Sequence, residues 1–97
     1  MIHSTKGILY LVIERFRSGD PVPVYRRFRD RGRMAPAGLL YVASWVSEDL
    51  TSCYQVMECD RRELLDEWMA NWSDLVDFEI IPVKTSADVV AMLSPRL

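Results

Sequence analysis

Glu58 is the residue in this sequence with the clearest opening for chemistry. It stands in Ser52–Cys59 beside Tyr54 and Val56, a stretch whose alternation reads as a β-strand. A half-buried carboxylate in such a strand needs a partner and holds its proton more tightly than one in water. Arg15, Arg26 and Arg29 are the candidate partners. Tyr10, Tyr25, Trp45, Tyr54, Trp68 and Trp72 supply aromatic surface for a pocket between a sheet and its helices, with Arg15 or Arg29 to hold an acidic group. In such a pocket Tyr54, Trp68 and Trp72 hold the ligand, Arg15 orients its anion and Glu58 moves a proton. The plainer alternative is that Glu58 forms a structural ion pair and that the aromatics, at strand alternation and helix spacing, are core.

Other chemistry is excluded by what the chain lacks. His3 is the single histidine and precedes the first strand, so it reads as a surface residue; Ser-His and Cys-His nucleophilic sites and most transition-metal sites need a histidine on a rigid element. Cys53 and Cys59 lie on one extended strand, about 20 Å apart at ~3.3 Å per residue. They are expected as buried thiols that do not bridge, in keeping with a reducing compartment, and they form no metal site. Glu48 and Asp49 adjoin in a turn and are expected to serve the turn itself. Neither metal nor cofactor is expected.

The elements that position these residues follow from periodicity. Ile8–Phe16 alternates as a first strand. Asp20 caps a helix with Pro21 at its first position, and Val24, Tyr25 and Phe28 form an apolar stripe that continues past Gly32 towards Pro36 and Gly38. The same helix is expected to carry Arg26, Arg29 and Arg33 on one flank. Residues 39–46 and Ser52–Cys59 form a hairpin. Asp60 with Glu63 has capping-box spacing ahead of Leu64, Leu65, Trp68, Met69 and Trp72. Residues 76–84 return as a strand with Pro82 at an edge, and Thr85 with Asp88 opens a short terminal helix.

The order strand, helix, strand, strand, helix, strand predicts an α+β, ferredoxin-like β-α-β-β-α-β sandwich. It is read as a single domain over residues 8–97, with residues 1–7 as a flexible N-terminal extension. Two substantial helices shelter one side of the sheet, so the other side needs a cover, for which a second copy of the chain is expected. If the more uniformly apolar sets face the helices, the uncovered face carries Tyr10, Val12, Tyr41, Trp45, Met57 and Ile81.

Composition agrees with a compact domain: of 97 residues, 49% are hydrophobic and 27% charged, too apolar for disorder and too interrupted for a membrane span. No secretory signal is evident, and a cytoplasmic address is expected. Residues 1–34 hold eight Lys or Arg against three acids and the remainder four against eleven, giving halves of +5 and −7. That asymmetry reads as pairing between the halves or between subunits, not as a phosphate track. An RNA-recognition sheet is disfavoured because Ser52–Cys59 has one aromatic, no glycine and an internal carboxylate.

The segments ILYLVIERF (8–16), GDPVPVYRRFRDRGRMAP (19–36), LLYVASWVSEDLTSCYQVMECD (39–60) and LLDEWMANWSDLVDFEIIPV (64–83) resemble the small bacterial family catalogued as domain of unknown function 3303. The resemblance covers nearly the whole chain. It implies a dimeric α/β-barrel relative, in a superfamily that includes cofactor-free monooxygenases, muconolactone isomerases and haem-degrading enzymes. It implies no activity, and no residue set here maps onto those enzymes' catalytic residues. The leading expectation is a homodimer that binds a small apolar or aromatic acid, with a cofactor-independent enzyme as one form of it. The rival is a non-catalytic dimerisation or regulatory module whose charged halves dock another protein.

Overall fold

A computed structural model describes residues 7–97. Residues 1–6, with His3 and most of the expected N-terminal extension, lie outside the described residues. Four strands, β1 (Ile8–Phe16), β2 (Leu40–Val46), β3 (Ser52–Cys59) and β4 (Val76–Val83), form one antiparallel sheet in the order β2-β3-β1-β4. The helices are α1 (Val22–Arg31), α2 (Arg62–Ala70) and the short C-terminal α3 (Ser86–Leu93). This α+β arrangement is compatible with a ferredoxin-like sandwich. Pro82 lies on an edge strand, where its missing N–H costs no ladder bond.

Helix boundaries show where local signals decided and where they did not. Asp20 Oδ1 accepts from Val22 N at 3.0 Å, so the aspartate serves the start of α1 as expected. The helix does not run past Gly32. It stops at Arg31, where Gly32 takes φ +71° and its N–H donates to Phe28 O at 2.7 Å. That φ combined with ψ −162° is backbone that glycine adopts and residues with a Cβ do not, so the chain leaves the helix here and Arg33 turns off its axis. The expected capping box at α2 is not formed: Arg61 occupies the cap position and makes no side-chain cap bond. At α3 the cap holds, with Asp88 N donating to Thr85 Oγ1 at 3.0 Å.

The sheet's two faces are the reverse of the expectation. Tyr10, Val12, Glu14 and Phe16 of β1 and Cys53, Gln55, Met57 and Cys59 of β3 are buried under the helices, with Val24, Leu64, Leu65, Trp68 and Trp72 packed on them. The open face carries Leu9, Leu11 and Ile13, paired in register with Glu58, Val56 and Tyr54 of β3 and with Val83, Ile81 and Glu79 of β4. Tyr10, Val12 and Met57 therefore belong to the core. The apolar β1 set Leu9, Leu11 and Ile13 lies outward, and the helix side takes the buried carboxyl of Glu14 and the amide of Gln55.

Tyr41 and Trp45 were expected on one face, but a β-bulge separates them. Tyr41 pairs with Met57 while Ala43 pairs with Val56, so Val42 is an extra residue and the strand slips by one. Tyr41 consequently stays on the helix side and Trp45 turns to the open face, 60% exposed, opposite Tyr54. Ile81 also lies on the open face, as expected.

Part of the charge asymmetry is paired within the chain. Arg15–Glu79 and Arg17–Asp77, each at 3.1 Å, and Arg27–Asp74 at 2.8 Å join the basic half to the acidic one. Asp49 is a turn residue: its Oδ1 accepts from Ser47 Oγ, Thr51 N and Thr51 Oγ1. Gly38 is held at φ +94°, and a Cβ there would stand 3.1 Å from Leu64 Cδ1. Gly38→Ala is therefore expected to cost about 1–2 kcal/mol, measured as a lowered urea midpoint at unchanged m-value.

Candidate functional site

A cavity of about 260 Å³ opens between the sheet and the two longer helices. Phe16 of β1, Tyr25 and Phe28 of α1, and Trp68 and Trp72 of α2 and the turn after it make its aromatic wall. The polar side is supplied by Glu14 (β1), Ser44 (β2), Cys53 and Gln55 (β3), and Arg33.

Each polar group is placed by a local cause. Glu14 and Gln55 are diagonal neighbours across the β1–β3 ladder, since Glu14 pairs with Cys53 and Val12 with Gln55. Gln55 Nε2 donates to Glu14 Oε2 at 2.7 Å, and Gln55 Oε1 accepts from Arg33 Nε at 3.2 Å. The segment bearing Arg33 is tied to α2 through its own carbonyl, which accepts from the indole N–H groups of both Trp68 and Trp72 at 3.0 Å. A carbonyl has two lone pairs, so both indoles are satisfied at one atom. The Arg33 guanidinium lies 3.8 Å from the Tyr41 ring centroid and 5.2 Å from that of Phe28, which holds the cation at the cavity wall.

Burial dominates the electrostatics. Glu14 is only 8% exposed, and desolvation pushes its carboxyl up to about 7, opposed by the Gln55 hydrogen bond and the Arg33 charge. Cys53 beside it is pushed up to about 12 by burial and by the Glu14 charge, which keeps it a thiol, and Tyr25 is likewise raised, chiefly by burial. The cavity thus combines a carboxyl poised between its two states near neutral pH, a fixed cation and flat apolar walls. Such a set can bind a planar ligand, orient an anion and hold or release one proton.

Of the residues singled out from sequence, Trp68, Trp72 and Tyr25 meet at this cavity. Glu58 and Tyr54 do not: both lie on the open face, Glu58 opposite Leu9 and Leu40, Tyr54 opposite Ile13 and Trp45. Arg15 is paired with Glu79, and Arg29 with its neighbour Asp30 at 2.8 Å. Their places are taken by Glu14 and Arg33. The argument made for Glu58, a carboxylate in an alternating strand, holds equally for Glu14, and Gln55 at the same alternation of β3 was the available sign of a buried polar pair. Arg33 was hidden by extending α1 through Gly32, a residue that signals a helix end. Cys53 and Cys59 are buried and unpaired. Among the described residues, no three His, Cys, Asp or Glu side chains converge as metal ligands, and no helix is long and apolar enough to cross a membrane.

Fold and site together define a small α+β domain with an aromatic-walled cavity closed on one side by a buried carboxyl. The chain belongs to the family described as Domain of unknown function (DUF3303), whose model matches residues 8–97. No curated protein and no solved structure matches it.

Proposed function

We propose that this protein is a homodimeric domain of the ferredoxin-like, dimeric α/β-barrel kind that binds a small apolar or aromatic acid, without a cofactor, in the cavity between sheet and helices. The observation that carries the reading is the Arg33–Gln55–Glu14 chain set into an otherwise aromatic wall. A cavity of about 150 Å³ suffices for benzene. The 260 Å³ here suits one substituted ring or two fused ones. Arg33 supplies the contact for the acid group and the indoles of Trp68 and Trp72 the contact for the ring. Any chemistry would run through Glu14. The unpaired thiols fit a cytoplasmic setting.

Ligand binding is tested by titrating benzoate, phenylacetate and 2-naphthoate while following tryptophan fluorescence. Saturable quenching that is lost in Arg33→Gln supports the reading. Absence of quenching by all three at millimolar concentration sinks it.

The open sheet face supports the dimer. Leu9, Leu11, Ile13, Trp45, Tyr54, Val56 and Ile81 form an apolar surface, bordered by Glu58 and the Arg15–Glu79 pair, that two copies would bury face to face. Val56 pairs with Leu11 on the two central strands. Val56→Asp is expected to give a monomer in sedimentation equilibrium at concentrations where the wild type is dimeric, because the charge would be buried unpaired. A wild-type protein still monomeric at high micromolar concentration would count against the assembly. The same apolar face favours the second reading, a non-catalytic dimerisation or regulatory module. That reading gains if the dimer forms and no aromatic acid binds.

A further inference from the structure

The polar chain in the cavity wall has two open ends. Gln55 is fixed in orientation, because its oxygen is taken by a donor that never deprotonates and its amide N–H by a carboxyl oxygen. At one end, Glu14 is more than nine-tenths buried, and its second oxygen, Oε1, has no hydrogen-bond partner among the described residues. At the other end, the two terminal nitrogens of Arg33 make no hydrogen bond or ion pair among the described residues, while its Nε holds Gln55. Both residues border the cavity. Buried polar atoms are seldom left without partners, so the open oxygen of Glu14 marks a place where a ligand or solvent group completes the set, while the half-buried Arg33 presents its free nitrogens at the cavity rim.

We infer that the pocket takes its aromatic carboxylate as an anion and takes up one proton from solvent with it, the anion seating on the terminal nitrogens of Arg33 and the proton residing on Glu14. This deepens the proposed function and rests on it. No covalent bond of the ligand changes; the proton comes from water or buffer and returns there on release. Two effects act in one direction. The ligand's negative charge cancels the Arg33 field that favours ionised Glu14, and its ring displaces solvent from the cavity, deepening the desolvation.

The groups facing Glu14 leave this exchange to it. Cys53 and Gln55 come from β3, Arg33 from the segment after α1, Tyr25 from α1, and Ser44 from β2, while Tyr41 of β2 stands against Arg33. The α2 side brings indole rings, and Phe78 of β4 stands in register with Glu14. Cys53 and Tyr25 stay neutral, both raised by burial, whereas the Glu14 carboxyl, raised to about 7, changes state in the working range. Linkage then fixes the sign. Where free Glu14 is ionised and bound Glu14 is not, affinity weakens as pH rises, by up to about tenfold per pH unit.

Isothermal titration of the intact protein with 2-naphthoate, in buffers of differing ionisation enthalpy at pH 6, 7 and 8, reads the proton directly. Uptake is expected to be small at pH 6 and to approach one proton per site at pH 8. Glu14→Gln is expected to bind with no uptake and with affinity independent of pH. Binding by the wild type without uptake at any of the three values overturns the proton coupling and leaves the pocket reading standing. Equal affinity for uncharged 2-naphthylmethanol overturns the anion class. Absence of binding by either probe sinks the pocket reading and this inference with it.

Discussion

Trp68→Ala is expected to lower the unfolding free energy by about 3–5 kcal/mol, the range for truncating a large aromatic in a packed core. Trp68 is 2% exposed, lies 5.8 Å from Phe78 between ring centroids, and donates its indole N–H to Arg33 O. Truncation removes one of the five rings of the cavity's aromatic wall and one of the two indole ties that hold the Arg33 segment, leaving Trp72 as the other. Trp68→Phe separates the contributions. It keeps most of the ring and loses the hydrogen bond, so it is expected to cost about 1 kcal/mol plus a smaller packing loss. Urea unfolding measures both. A loss below 1 kcal/mol for the alanine variant would mean that the cavity collapses freely and that this wall is not rigid.

Glu14→Gln is expected to stabilise the protein above neutral pH and to leave it unchanged in mild acid. The carboxyl is raised on folding from 4.5 to about 7, so the native state binds its proton more tightly than the unfolded chain does. The contribution is fully present below pH ~4.5 and is lost as pH rises through about 7, amounting to on the order of 3 kcal/mol. Glutamine keeps the acceptor for Gln55 Nε2 and carries no charge to desolvate. Wild-type stability should fall between pH 5 and 8 while that of the variant stays nearly flat, and the two should converge near pH 4. Asp74, held down to about 2 by Arg27, and Asp49, held down by Ser47 and Thr51, act in a separate window. Their stability is present above pH ~4 and is lost only below it. Wild-type stability that rises between pH 5 and 8 would refute a Glu14 carboxyl raised by burial.

Much of the fold was legible because strand and helix periods are local. Ile8–Phe16 and Ser52–Cys59 alternate through their full observed lengths, and Leu64, Leu65, Trp68 and Trp72 recur at the spacing that buries them. Part of the site was legible for the same reason: Trp68, Trp72 and Tyr25 had to point from helices towards a sheet. Glu14 and Arg33 were not found, and each miss has a physical origin. A strand of period two presents two faces that look equally buriable, so Leu9, Leu11 and Ile13 competed with Tyr10, Val12, Glu14 and Phe16 for the helices. At Val42 a single inserted residue reversed the outward order of β2. At Gly32 a positive φ ended α1 and aimed Arg33 into the sheet face.

The chain's own residues determined the element order, the antiparallel sheet, the unpaired thiols and the surplus of apolar strand surface, because each follows from spacing and reach along the backbone. Only the packed structure decided which face the helices cover, and hence which carboxyl is buried and which cation meets it. That choice depends on the whole set of side chains meeting across the layer. There the Glu14–Gln55–Arg33 chain is assembled on one face, while the apolar strip of Leu9, Leu11, Ile13 and Val56, bordered by Glu58 and Glu79, is left open on the other.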